Sequence, residues 1–275
     1  MPSESNQSSL PAQMIPVTGA GGETVEIAAI WRAPAVPERP SVMWLSGFHS
    51  DMRGTKATAL ADWSARHGYG FLSLDYSGHG ESGGRFEDGT IGDWLAQTRA
   101  VLDWADPARV VIVGSSMGGW IALLLMRQLR GEAPERAGRV AGLALIAPAW
   151  NMTELIWNEL PQEARAAIET TGRFIRPSDY DPAGYPITRK LIGEGRQHLI
   201  PPDAPIDAGA PVRILQGMAD TDVPWHHSLA LIERLEQDDA HLNLVRDGAH
   251  QMSRPQDLAL MFSAVQHLID HAAES

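Results

Sequence analysis

Short β-branched or apolar runs alternate along the chain with longer segments of helical spacing. Met14–Thr18 and Thr24–Trp31 read as two strands facing each other across the Gly19–Gly22 turn. Ser41–Ser46 is the next strand and Lys56–His67 the helix after it. Gly70–Tyr76 is a strand, and Thr90–Trp104 is a helix with Ile91, Trp94, Leu95, Val101 and Leu102 near one helical stripe. Arg109–Val113 is a strand. Met117–Leu129 is a helix apolar on several faces, which predicts that it is buried. Val140–Ala147 closes this stretch as a strand.

Between Pro148 and Ala210 the rhythm breaks. No strand stands out, and prolines, charges and aromatics mix. The alternation then resumes with strand Val212–Gln216, helix Trp225–Leu235, strand His241–Val245 and helix Pro255–His271. Repeated strand–helix units predict an α/β protein whose mostly parallel central sheet carries helices on both faces. The organisation that follows is a loose polar tail over 1–12, a core made of 13–147 and 211–275, and a lid inserted over 148–210. A segment of that length with helical patches reads as a small lid rather than a structureless loop.

The chemistry concentrates where strand Arg109–Val113 meets the buried helix. Gly114-Ser115-Ser116-Met117-Gly118 is a G-x-S-x-G run in a strand–turn–helix context. Such a turn projects a serine hydroxyl above the sheet, and its glycines let strand and helix approach closely. The Met117 N–H, at a helix N-terminus, is an oxyanion donor. The plainer reading is a tight glycine-rich turn with an inert serine. A serine nucleophile needs a base, and on sheets of this kind the partners follow in the order Ser, acid, His. Of ten histidines, His250 alone lies after a late strand and before the last helix. The acid falls just after Val212–Gln216, where Asp220 and Asp222 both qualify. Asp222 precedes Val-Pro and a helix, as a capping aspartate does, so Asp220 is preferred. The second oxyanion donor is expected in the loop after Ser41–Ser46, at the N–H of Phe48. His49 beside it is either a second acid/base or a polar residue at the pocket mouth.

Two other motifs have weaker context. Gly78-His79-Gly80-Glu81-Ser82-Gly83 fits G-x-G-x-x-G after a strand, but Gly84–Gly89 continues as loop, whereas a dinucleotide site needs a helix there. The adjacent His226 and His227 have no H-E-x-x-H context and read as a solvated pair, not a metal site.

Composition narrows the function classes. The formal net charge of -12 repels phosphate backbones and argues against a nucleic-acid partner. No cysteine is present, which removes thiolate nucleophiles and Cys-ligated zinc. The first basic residue is Arg32, so the opening lacks a charged signal-peptide start or an arginine-rich presequence, and a cytoplasmic location is the expectation. Apolar runs such as Ile121–Met126 are too short for a membrane span.

Longer runs carry a family resemblance. Gly47-Phe-His-Ser-Asp-Met-Arg-Gly-Thr-Lys-Ala57, Asp75-Tyr-Ser-Gly78, Gly114-Ser-Ser-Met-Gly-Gly-Trp120 and Gly217-Met-Ala-Asp-Thr-Asp-Val-Pro-Trp-His-His-Ser228 resemble the α/β-hydrolase family of the mycophenolic-acid acyl-glucuronide esterase, also described as mitochondrial palmitoyl-protein thioesterase. The resemblance implies the α/β-hydrolase fold and a serine hydrolase acting on esters or thioesters. It puts the nucleophile on Ser116, the base on His250 and the acid on Asp220. The expected partner is a small-molecule ester or an acylated protein, and no cofactor or metal is expected. Trp120, with Trp150 and Trp157 of the lid, and His49 are candidate substrate-binding residues. Met152, Leu155, Ile156 and Leu160 could line an acyl pocket, and the basic Arg173 and Arg176 could draw an anionic leaving group. A small-ester carboxylesterase and a non-catalytic receptor on the same fold are the alternatives.

Overall fold

The computed structural model describes residues 10–19, 22–177, 182–201 and 203–274. Strands β1 (Gln13–Thr18) and β2 (Thr24–Arg32) form an antiparallel pair, in register from Gln13↔Ala29 to Thr18↔Thr24. Then follow β3 (Ser41–Leu45), α1 (Thr55–Arg66), β4 (Gly70–Leu74), α2 (Ile91–Ala105), β5 (Val110–Ser115), α3 (Met117–Glu132), a one-turn α4 (Pro134–Ala137) and β6 (Val140–Ile146). Residues 148–210 contribute α5 (Met152–Glu159), α6 (Gln162–Thr171), the antiparallel hairpin β7 (Arg173–Arg176) and β8 (Tyr185–Thr188), and α7 (Arg189–Gly195). The chain returns through β9 (Val212–Gly217), α8 (Trp225–Ile232), β10 (Ala240–Val245) and α9 (Pro255–Glu274).

The eight-stranded sheet has the order β1-β2-β4-β3-β5-β6-β9-β10. β2 meets β4 antiparallel, and every pairing from β4 to β10 is parallel. This is the α/β-hydrolase fold. Successive strand residues point to opposite faces, so β5 splits its apolar run between two cores. Val110 and Ile112 join α2 and α3, while Val111 and Val113 join α1 and α9. Thr90 caps α2 by accepting the Asp93 N–H at 3.1 Å, which fixes the start predicted for that helix. On α9, Met261, Val265 and Leu268 recur at helical spacing and are buried against the sheet. Each such side chain contributes about 1.5–3 kcal/mol of transfer free energy.

Two expectations change. The stretch read as strand-free holds the β7–β8 hairpin, whose strands are four residues each and too short to show an alternation. The polar tail assigned to 1–12 is not loose at its end. Leu10 and Ala12 pack against the α1–α9 core, and the Leu10 carbonyl accepts from Arg53 at 3.3 Å. The part over 1–9 lies outside the described residues, as do the two central residues of the Gly19–Gly22 turn.

Candidate active site

β5 ends and α3 begins at one residue. Ser116 takes φ 52° and ψ -117°, a left-handed conformation that a side chain adopts only under constraint. The crowding around it explains the flanking glycines. A Cβ on Gly118 would stand 2.1 Å from the Leu45 carbonyl oxygen, and one on Gly114 would stand 2.4 Å from that of Gly118. Any larger residue would push β5, α3 and β3 apart. The Ser116 N–H donates to Ile146 O at 2.8 Å and ties the turn to β6.

His250 comes from the loop between β10 and α9. Its Nε2 lies 3.1 Å from Ser116 Oγ, and its Nδ1 lies 2.8 Å from Asp220 Oδ2. A carboxylate accepts, so Nδ1 carries the proton and Nε2 is left to accept from the serine hydroxyl. The loops bearing the two residues are laced together, with Ala219 N–H donating to Gly248 O at 2.9 Å and Met218 N–H to Val245 O at 2.8 Å. Asp220 is buried after β9. Its Oδ1 accepts the N–H groups of Asp222 and Val223 at 2.9 and 2.8 Å, and Gln216 donates to Oδ2 at 3.0 Å. Burial pushes this carboxyl up, but the bond and charge of His250, the Val223 amide and Gln216 outweigh it and hold Asp220 below its ordinary value. Gln216 is itself held by Ser228 Oγ at 2.7 Å. Asp222 does not cap α8, whose N-cap is Pro224. It lines the cavity instead, and of the two aspartates it is Asp220 that contacts His250.

A cavity of about 330 Å³ opens over Ser116 and His250. Gly47 brings the loop after β3 against the turn at Ser116, where its Cβ would sit 3.2 Å from Ser116 Cβ. Phe48 and His49 line the cavity. Met117 opens α3, so its amide lies in the helix's first turn, and no hydrogen bond among the described residues takes the N–H of Phe48 or of Met117. From residues 148–210 come Met152, Leu155 and Ile156 on an apolar wall, and Glu159, Arg176 and Tyr185 on a polar one. Arg176 Nη2 donates to Glu159 Oε2 at 3.2 Å; burial raises the Glu159 carboxyl, with Arg176 opposing.

Three predicted substrate-binding residues are elsewhere. Trp120 is fully buried inside the core on α3. Trp150 stacks on His227 at 4.6 Å, donating to its carbonyl at 3.0 Å while its own carbonyl meets His227 Nε2 at 2.8 Å. That pair makes His227 a structural residue of the α8 start, not part of a solvated pair. Trp157 lies under the guanidinium groups of Arg165 and Arg196. None of the three lines the cavity, because aromatic content alone does not say which way a ring points. Leu160 is likewise buried away from it, and Arg173 pairs with Glu87 on the surface.

The sequence reading missed Lys56, Glu159 and Tyr185. Lys56 had a signal: the first turn of a helix that follows the Phe48 loop must face the same space. Its Nζ donates to the Gln251 carbonyl, and burial pushes it down to about 8 against the pull of Asp257 and Asp220. Glu159 and Tyr185 had no signal, since they belong to elements without a readable period. The Gly78–Gly83 run leads into a 3₁₀ turn at Phe86–Asp88, and no helix begins before Ile91, so it lacks the dinucleotide geometry. Asp220, Asp222 and His250 bring ligand-type atoms within 4.8 Å of one another, but both ring nitrogens of His250 are engaged as in a proton relay.

Known proteins share this architecture. The family model described as serine aminopeptidase, S33 (Hydrolase_4) matches residues 37–185. The mouse palmitoyl-protein thioesterase ABHD10, mitochondrial, is 33% identical over 232 residues, which are 84% of this chain and 75% of that protein. The chain belongs to the ABHD10 family of α/β-hydrolases. The solved structure of the mouse ABHD10 protein superposes with a TM-score of 0.80 at 31% identity, covering 94% of this chain and 99% of that one. A crystal structure from Agrobacterium vitis S4 gives 0.89 at 46% identity over 94% and 99%. Membership of the ABHD10 family makes the chain a serine hydrolase of the esterase and thioesterase group. Among the described residues no helix is long and apolar enough to cross a membrane.

Proposed function

We propose that the chain hydrolyses carboxylic esters or thioesters by passing the acyl group through Ser116. The observation that carries this reading is the unbroken relay from Asp220 to His250 to Ser116 at 2.8 and 3.1 Å beneath the cavity. Ser116 Oγ attacks the carbonyl carbon as His250 Nε2 takes its proton, and Asp220 holds the tautomer and stabilises the imidazolium. The N–H groups of Phe48 and Met117 receive the oxyanion. His250 then protonates the leaving alkoxide or thiolate and activates the water that releases the acid. No step uses a metal or an organic cofactor.

The name borne by the curated relatives, palmitoyl-protein thioesterase, supports an acylated protein or another acyl thioester as substrate. The cavity supports an acyl group whose apolar part lies on Met152, Leu155 and Ile156. Residues 148–210 act in this reading as a lid over the site, with Glu159, Arg176 and Tyr185 meeting the substrate's polar end. A fluorophosphonate probe tests the reading against a receptor that keeps the fold without turnover. The wild type labels and turns over p-nitrophenyl esters and acyl thioesters, whereas Ser116→Ala neither labels nor retains more than a residue of activity, several orders of magnitude down. An unlabelled wild type, or full turnover in the variant, would remove Ser116 from the mechanism.

A further inference from the structure

The glycine-rich run after β4 has no dinucleotide to hold, yet it is bound to the site. His79, its second residue, is 5% exposed and boxed by the rings of Phe86, Trp94 and Tyr76, at centroid distances of 5.0, 5.2 and 5.7 Å. Its Nδ1 lies 3.2 Å from the Ser77 carbonyl. A carbonyl only accepts, so the proton is on Nδ1 and Nε2 is an acceptor. Nε2 stands 3.2 Å from the backbone nitrogen of His49, which donates to it. His49 has φ 58°, a left-handed conformation that needs support. The peptide so fixed joins Phe48, read above as an oxyanion donor, to His49, next to the Gly47 that packs against Ser116.

A second tie runs alongside. Buried Asp75 accepts the Met52 N–H at 2.7 Å with Oδ1 and the Glu81 N–H at 2.8 Å with Oδ2. Gly80, at φ 46°, is required for this: its Cβ would lie 2.0 Å from Asp75 Oδ2. The Gly78–Gly83 turn therefore grips the loop 47–52 at His49 and again at Met52. An acceptor is useful at His79 only while the ring is neutral. Burial pushes the imidazole down to about 4, the Ser77 carbonyl and Asp51 opposing and His49 reinforcing.

We propose that His79 is a positioning residue for acyl transfer, whose neutral Nε2 holds the His49 amide and thereby aims the Phe48 N–H at the oxyanion. The proposal rests on the reading of Phe48 as an oxyanion donor and Ser116 as nucleophile. It is tested with two variants of nearly equal shape in the full chain, His79→Gln, which keeps an acceptor, and His79→Met, which has only a weak one. Both fill the aromatic box. With an ester whose acylation limits the rate, His79→Met lowers kcat by roughly 10–100-fold, less than deletion of an oxyanion donor, while KM stays within about twofold. Its affinity for a boronic acid that mimics the tetrahedral state falls in parallel, and His79→Gln recovers most of both. Equal behaviour of the two variants overturns the proposal, whether both match the wild type or both lose activity or folding. Loss of the underlying reading has a different signature, because Ser116→Ala would then turn over normally.

Discussion

At the scale of single residues, the turn at Ser116 was the most legible part of the sequence. Its pattern is dictated by contacts that allow no alternative: Gly114 and Gly118 touch backbone, so the sequence must spell glycine there. The acid was harder, because Asp220 and Asp222 sit two positions apart in one loop and only three dimensions separate them. By position in the sequence Asp222 resembles a helix cap, yet Pro224 holds that position and the Asp222 side chain joins the cavity wall. The distinction has a kinetic consequence. Asp220→Asn presents an amide where His250 Nδ1–H requires an acceptor, and kcat falls on the order of 10⁴-fold, as when a triad aspartate is amidated elsewhere. Asp222→Asn leaves the His250 contact intact and retains the backbone N–H that Asp220 Oδ1 accepts, so it costs less than about tenfold. Steady-state rates of the two variants at saturating ester decide this, and a larger loss in Asp222→Asn would transfer the role.

At the scale of elements, the core strands and helices were readable because each buries a face with a fixed period. The chain over 148–210 was not. The four-residue strands β7 and β8 have too few positions to show a period, and Pro186 inside β8 argues against a strand in any sequence reading. The hairpin pairs Arg176 with Tyr185 in register, and this brings both to the cavity. The composition of the segment had pointed to Arg173 and Arg176 together as a basic face. Only Arg176 reaches the cavity, while Arg173, three residues earlier, is occupied by Glu87. An anionic leaving group would draw Arg176 away from Glu159, exchanging one anionic partner for another, which limits the gain to about 1 kcal/mol. Arg176→Gln should therefore raise KM about fivefold for an anionic ester relative to a neutral ester of equal acyl length. Arg173→Gln should change neither. Equal effects of Arg176→Gln on the two esters would show that the hairpin does not select the leaving group.

At the scale of the whole molecule, the sheet order was not legible. β3 and β4 exchange places relative to the chain, and nothing in a local pattern specifies which strand a crossover lands beside. The parallel pairing of β3 with β4 nonetheless sets the loops that follow them at one edge of the sheet, where His79 is buried. Burial of a neutral imidazole makes the stability of the fold depend on acid. In the unfolded chain the ring takes a proton near its ordinary value of 6.5, whereas in the fold it resists down to about 4. Between these values the unfolded state binds more protons, so stability falls as pH falls through the window, by up to on the order of 3 kcal/mol for the full shift. Asp220 works in the same direction. Its carboxyl is depressed in the fold, so its stabilisation is present above the unfolded value and is lost as pH falls through the folded one. The two are separable by substitution. His79→Gln has no group to titrate, so between pH 7 and 4.5 its Tm should fall less than that of the wild type, keeping the part that comes from the buried His227, Asp220 and the other carboxylates. Thermal melts of both proteins across that range measure the difference. Parallel losses would mean that His79 takes up its proton without cost to the fold, and that its environment is more polar than the aromatic box implies.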